Sequence, residues 1–424
     1  MTMTSSAPAL PDHCDAGATG AVIPVDIAAA KATATAVPVA ETETLDLLAA
    51  IGRVTAIDVV ASLNLPPFNA SAMDGYAVKA DSVTGQGPWR LKVTGRIAAG
   101  DAPKQSSEGS VRILTGAPVP QEFDTVVMQE KCRLDGDAIV IDQKPRAGQN
   151  VRIAGEDGRR GETLLEAGET LKPQHLALLA GQGMAGIDVR RKVRIGLIST
   201  GTELREPGEP LHPGQIFNSN RVMLRASLDA CRWAEVHDFG IVPDTREAIA
   251  AALAEAAVQC DAIITTGGVS AGEEDHVTWA VGSGGGKLDV MKVAMRPGKP
   301  VKVGKLGAAL FLGLPGNPNA TLVTFRMIAL PALRKLAGSS NTAPTWTQAV
   351  ANFTYEKRPD RTEFVPVRLH PAASDGLPRL AILGRGSSAN LRALSQADAI
   401  ALLPPGASSV SPGSLLHIDR LAIT

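Results

Sequence analysis

The chain has 424 residues, too many for one ordinary core, so roughly two to four domains are expected. A hydrophobic share of 44% with 20% charged residues fits a soluble globular protein, and a formal net charge of -1 leaves no global field to draw the chain onto nucleic acid. Aromatic residues make up 3%, which argues against a lectin or a base-stacking surface.

Residues 1–37, rich in Ala, Thr and Pro, are expected to be a poorly ordered tail with one short helix opening near Asp26. The first Lys or Arg is Lys31, and no apolar core of signal length precedes it. Neither a secretory signal nor a membrane span is therefore expected, and a cytoplasmic location is. Cys14, Cys132, Cys231 and Cys260 form no CxxC pair, so a zinc knuckle or redox motif is not expected.

"TETLDLLAAIGRVTAIDVVA" reads as a helix ending near Gly52, then a strand. Between 61 and 150, short β-like runs such as "GYAVKA", "WRLKVTGRI" and "DTVVMQEKC" alternate with Gly, Pro and Asp. They describe an inserted β-rich domain. A charged loop and a helix from about Pro173 follow. Residues 38–60 and 151–190 together are assigned to a small helical linking domain.

From 191 to 338 the pattern is clearest. "KVRIGLISTG", "AEVHDFGIV", "DAIITTGG", "LDVMKVAM" and "AALFLGLPG" are strands, separated in part by helices. "SNRVMLRASLDAC" has Asn and Ser as caps, "DTREAIAAALAEAAVQ" spaces Asp244 and Glu247 like a capping box, and a last helix opens at Asn317-Pro318. The fold class is multidomain α/β, with a doubly wound, mostly parallel sheet as its central unit. Residues 339–424 return to short alternating strands, read as a β-barrel or sandwich.

In such sheets ligands bind beyond the carboxyl ends of the strands. Three strand ends carry unusual loops: "LISTGTEL" with Glu203, "ITTGGVSAGEEDH" with Gly267, Gly268, Ser270 and Asp275, and "LGLPGNPNA" with Pro315 and Asn317. Glycine-rich turns and helix N-termini suit phosphate, whereas carboxylates repel it. A hard divalent cation reconciles the two, Mg²⁺ above all, with Asp275 as first ligand and Glu203 and Asp244 beside it. The plainer alternative makes "GEEDH" an acidic helix start. "VMKVAMRPGKPVKVGK" holds Lys292, Arg296, Lys299, Lys302 and Lys305 without an acid, either an oxyanion clamp or a lysine-guarded sheet edge. There is no GxSxG, no P-loop and no dinucleotide fingerprint.

Taken together, "LPPFNASAMDGYAV", "RILTGAPVP", "VRIAGEDGRRGE", "RIGLISTGTEL", "ITTGGVSAGEEDH", "MRPGKPV" and "FLGLPGNPNA" resemble the molybdopterin molybdenumtransferase (MoeA) family, whose architecture the gephyrin E domain shares. The resemblance runs from about residue 38 to the C-terminus. It implies that adenylylated molybdopterin and molybdate are the substrates, that molybdenum enters at the dithiolene, and that AMP leaves with a divalent cation present. It also implies roles for matched residues. Asp74, Thr115 and Asp157 line the cleft with Glu203, Asp244 and Asp275, while Lys292, Arg296 and Lys299 supply positive charge. Arg361 and Ser387 join them from the C-terminal domain.

Asn69-Ala70 stands where the family usually has Asp-Asn, and Arg296 replaces the usual Lys. In the family the cleft lies between the β-rich domain of one subunit and the sheet domain of another. The resemblance thus implies a homodimer, with molybdopterin adenylyltransferase and maturation factors of molybdoenzymes as further partners, and neither nucleic acid nor membrane. Two other functions fit the same resemblance: a non-catalytic scaffold like the gephyrin E domain, or the adenylyltransferase itself. The retained acids argue against the first and the β-rich flanks against the second.

Overall fold

The structure, a computed structural model, describes residues 21–102, 108–268, 275–372, 375–384 and 389–421. Its central unit is built from β1 (Val193–Thr200), α1 (Ser219–Asp229), β2 (Ala234–Val242), α2 (Arg246–Gln259), β3 (Ala262–Thr266), α3 (His276–Ser283), β4 (Lys287–Lys292), β5 (Pro300–Leu306), β6 (Ala309–Leu314) and α4 (Pro318–Thr324). The sheet order is β2-β1-β3-β6-β5-β4, with the first four strands parallel and β5 antiparallel to both its neighbours.

The strands are apolar at successive positions because both faces are covered. Ile195, Leu197 and Ile264 face one core with Leu224 and Leu228 of α1, whereas Ile198, Ile263 and Phe311 face the other with Ile249 and Leu253 of α2. Chain order reverses at β1/β3, the position where a crevice opens beyond the strand ends. After α4 the helix widens into a π turn at Phe325–Ala329 before Leu330–Leu336. Pro331 has no N–H to continue the regular ladder, which accounts for the wider turn.

Two local expectations change. Thr42–Asp46 is a strand, not a helix, and pairs antiparallel with Gly186–Arg190. Its alternating Thr residues fit a pleated pairing partner supplied from far along the chain, which local helical periodicity does not reveal. The cap of α2 is Thr245, whose side chain accepts from Ala248 N at 3.3 Å, one residue later than the Asp244–Glu247 spacing indicated. Asp244 is thereby left to bond elsewhere.

Residues 25–35, within the stretch expected as a tail, form a helix with Ala28 and Ala32 buried in the central core. The strand Thr42–Asp46 and its partner share a small core of Ala50, Val59, Leu171, Leu179 and Val189 with the helix Pro173–Gly181. The segment between them carries a six-stranded sheet, with Gly75–Val78 between Thr125–Met128 and Ser110–Ile113. At the C-terminus Thr347–Ala351, Thr362–His370, Arg379–Ile382, Ala399–Leu403 and Leu415–Arg420 close into a five-stranded barrel, since Thr362–His370 pairs at both ends of the series. A short strand, Met295–Arg296, leaves the central unit and pairs with Thr362–Glu363, which carries Arg296 to the barrel.

Candidate functional site

Three groups of polar residues stand out, each fixed by a different unit. In the inserted domain, Asp74 Oδ1 accepts hydrogen bonds from both the backbone N and the hydroxyl of Thr115, each at 2.7 Å. The backbone bond, then the hydroxyl, holds the exposed Asp74 carboxyl below the usual range. Gly75 is required beside it, because a Cβ there would meet the Val127 carbonyl oxygen at 2.1 Å. Tyr76 is buried in the adjoining strand, with the Arg112 guanidinium 5.1 Å from its ring centre. The scarce Tyr thus anchors the turn that presents Asp74. Asp157 pairs with Arg152 at 2.5 Å, and Arg152 also bonds Glu156 at 2.5 Å. Asn69 Oδ1 accepts from Ala154 N at 2.9 Å and ties this loop to the turn before Asp74.

The second group lies at the strand tips of the central sheet. A Cβ on Gly267 would sit 2.2 Å from the Thr200 carbonyl oxygen, and one on Gly316 would be 3.8 Å from the Gly267 Cα. The ends of β1, β3 and β6 therefore converge, and Gly267 (φ 90°) and Gly268 (φ 62°) adopt left-handed backbone that permits the approach. Asn220 of α1 is buried and donates to the Gly316 carbonyl at 2.6 Å, which fixes the Pro315–Asn317 turn. Thr200 Oγ1 donates to Asp244 at 3.1 Å, and the Glu203 carboxylate folds against Gly201 in its own loop.

Asp275 caps α3. Its Oδ1 accepts from Thr278 N at 2.9 Å and its Oδ2 from the Thr278 hydroxyl at 2.7 Å. Oδ2 also accepts from the ammonium of Lys302. Lys302, on β5, is completely buried and donates as well to the Gly268 carbonyl at 2.8 Å. Burial pushes the Lys302 ammonium towards neutrality, and Asp275 opposes this. Mg²⁺ was expected at Asp275, Glu203 and Asp244, and the structure gives Asp275 a different partner. A cation already occupies Asp275, and among the described residues no three His, Cys, Asp or Glu side chains gather as a metal site.

The third group joins the central unit to the barrel. Glu363, nearly fully buried, lies 3.5 Å from Arg296 Nη1, accepts from Arg361 Nε at 3.0 Å, and accepts from the Tyr355 hydroxyl at 3.0 Å. Burial, then Glu363, pushes the Tyr355 hydroxyl up to about 12, so it stays a donor. Arg296, Pro297, Asn319, Tyr355 and Glu363 line one pocket, and Asn319 Oδ1 is buried there without a protein partner. Lys292 and Lys299 flank the turn leading to Arg296, closed by a Val293 N to Lys299 O bond of 2.8 Å. Ser270 and Ser387 lie outside the described residues.

The sequence reading thus named residues that the fold does gather in separate groups: Asp74 with Thr115, the tips of β1, β3 and β6, and Arg296 with Arg361. It missed Glu363, Tyr355 and Asn220, and saw Lys302 only as one of a basic run. An acid at the head of the apolar run in "EFVPVRLH" was the available signal for Glu363.

Family models match in three segments: the MoeA N-terminal region (domain I and II) over residues 23–183, a probable molybdopterin binding domain over 196–335, and the MoeA C-terminal region (domain IV) over 348–418. The molybdopterin molybdenumtransferase of Nostoc sp. is 37% identical over 393 residues, covering 90% of this chain and 89% of that protein. The molybdopterin molybdenumtransferase of Haemophilus influenzae is 39% identical over 328 residues, covering 76% and 80%. The crystal structure of the molybdopterin biosynthesis moeA protein from Pyrococcus horikoshii superposes with a TM-score of 0.79 at 26% identity, over 94% of this chain and 100% of that one.

Proposed function

The chain belongs to the molybdopterin molybdenumtransferase family of molybdenum cofactor biosynthesis, and we propose that it inserts molybdate into adenylylated molybdopterin with release of AMP. The observation that carries this reading is the Arg296–Glu363–Arg361 group, whose Arg296 and Glu363 line a small pocket with Tyr355 and Asn319. Arg296 and Arg361 bring two guanidiniums to Glu363, and Tyr355 and Asn319 add polar groups to that pocket. That chemistry suits a tetrahedral oxyanion.

The atoms balance without a redox step. One molybdate oxygen is exchanged for the two dithiolene sulfurs and leaves as water with the two thiol protons. One water cleaves the phosphoanhydride, giving AMP and the molybdopterin phosphate. In this chain Arg296 and Arg361 attract and orient the oxyanion. The Gly267-Gly268 turn lets backbone N–H groups approach the nucleotide phosphate. Asp74, held ionised by Thr115, is the base facing the reacting groups. Asp157 and Glu203 shape the same cleft. Family members are implied to use Mg²⁺, but no step here is routed through it, because Asp275 is engaged by Lys302.

The reading includes a homodimer. Phe68, Met73 and Ile153 are exposed around the Asp74 turn, and Leu211, Ile216 and Phe217 are exposed beside the Glu203 loop. Exposed apolar groups rimming two halves of a polar site suit an interface that joins them. No helix among the described residues is long and apolar enough to cross a membrane.

Purified full-length protein should release AMP from adenylylated molybdopterin only when molybdate is added, and the product should carry molybdenum on its dithiolene. Molybdate-independent or absent AMP release would overturn the assignment. Synthesis of the adenylylated compound from ATP would instead identify an adenylyltransferase.

A further inference from the structure

We propose that Lys302 is a built-in counter-cation for Asp275, which takes the place of a divalent ion at that strand tip and fixes the Gly267-Gly268 turn. The inference deepens the reading of the strand-tip site given above, but its test needs no substrate. Lys302 is completely buried in β5, the strand next to the sheet edge, between Val301 and Val303 of the core. A buried ammonium requires an ionised partner and further acceptors. The structure provides both: the Asp275 carboxylate and the Gly268 carbonyl at 2.8 Å.

The remaining valence of Asp275 is also committed. Its two oxygens take the backbone N and the hydroxyl of Thr278 as the cap of α3. A dication bound to Oδ2 would face the ammonium at contact range, and among the described residues no three His, Cys, Asp or Glu side chains gather as a metal site. Sequence alone points the other way, because an acid following a glycine-rich loop is a natural hard-cation ligand. The strand register of β5 decides the matter. Lys302 pairs with Gly313 of β6 and so lies at the tip of the sheet, within reach of the loop after β3.

Lys302 also has a positioning role. Gly267 and Gly268 both hold left-handed backbone, and the ammonium is the group that grips the Gly268 carbonyl. The same side chain therefore couples the start of α3 to the turn where phosphate is expected.

Mn²⁺ binding, read from the electron paramagnetic resonance signal of the free ion, tests this on the full chain without substrate. Wild type and Asp275→Asn should bind Mn²⁺ with equal affinity. Lys302→Met frees the carboxylate and should tighten Mn²⁺ binding by about tenfold or more. The double variant Lys302→Met with Asp275→Asn should lose that gain. A Mn²⁺ site in wild type that disappears in Asp275→Asn would overturn the proposal, as would a folded Lys302→Met that gains nothing. If Lys302→Met does not fold, the comparison of wild type with Asp275→Asn decides alone. Because activity is not the readout, failure here would leave the assigned reaction standing.

Discussion

At the scale of single residues, the Asp74–Thr115 pair makes a carboxylate that stays ionised while exposed. Two donors on one oxygen favour the charged form, as a neighbouring cation does elsewhere. Thr115→Val removes the hydroxyl and keeps the backbone donor. The Asp74 carboxyl should then titrate at higher pH, shifting the acid limb of the pH–rate profile upward. The same change should lower kcat/KM by about tenfold, the worth of one hydrogen bond to a charged group. An unmoved acid limb would show that Asp74 is not the titrating group. Glu363 is the second residue on which much depends. Its replacement by Ala leaves Arg296 and Arg361 facing each other without their shared acid. Denaturant unfolding should show a loss of about 3 kcal/mol, and a loss below about 1 kcal/mol would mean that the guanidiniums find other partners. Neither effect was visible in sequence in full. "SAMDGYA" with "TGAP" announced Asp74 and Thr115 as residue types, but the pairing depends on a ladder between Gly75–Val78 and Ser110–Ile113. Glu363 reads as an acid at the head of an apolar run, and only closure of the barrel brings Arg296 to it.

At the scale of elements, the parallel strands and their helices were legible because each is long, periodic and bounded by Gly, Asn or Pro. The alternation of buried faces in β1 and β3 follows directly from their unbroken apolar runs. The strand Thr42–Asp46 was not legible, since its partner Gly186–Arg190 is remote in sequence and its leucines imitate a helical face. Nor was β5, whose lysines read as a loop or an edge and not as an interior strand with Lys302 inside. The base of the sheet offers a sharper test of element-level electrostatics. Asp261, just before β3, is bonded by Arg191 at 2.6 and 2.9 Å and by Arg194 at 3.0 Å, next to the start of β1. Burial pushes the Asp261 carboxyl up, but the guanidinium bonds prevail and bring it down to about 2. A depressed carboxyl stabilises the fold above its unfolded value near pH 4 and loses that contribution as pH falls towards 2. The linkage is on the order of 2 kcal/mol. Asp261→Asn should therefore lower stability at pH 7 by a comparable amount, and its deficit relative to wild type should shrink on acidification. A deficit that stays constant between pH 5 and about 2 would contradict the linkage.

At the scale of the whole molecule, the polar groups belong to separate units. Asp74 and Thr115 sit on the inserted sheet, Gly267, Asp275 and Asn317 on the central sheet, and Arg361 on the barrel, with Arg296 bridging the last two. A short strand pair, Ala70–Ser71 with Val151–Arg152, joins the insert to the rest, and Phe68, Met73 and Ile153 are exposed there. Such a division suits a reaction centre completed by a second copy, and size measurement in solution should return twice the chain mass at micromolar concentration. The central claim is that these groups serve one reaction across that interface. It is tested most directly with a heterodimer, purified through two different tags, of one Asp74→Asn chain and one Arg361→Ala chain. Each homodimer should be inactive. In the heterodimer one site carries both defects and the other carries none, so about half of wild-type AMP release should return. A heterodimer as inactive as its parents would show that no intact site forms across the interface and contradict the account.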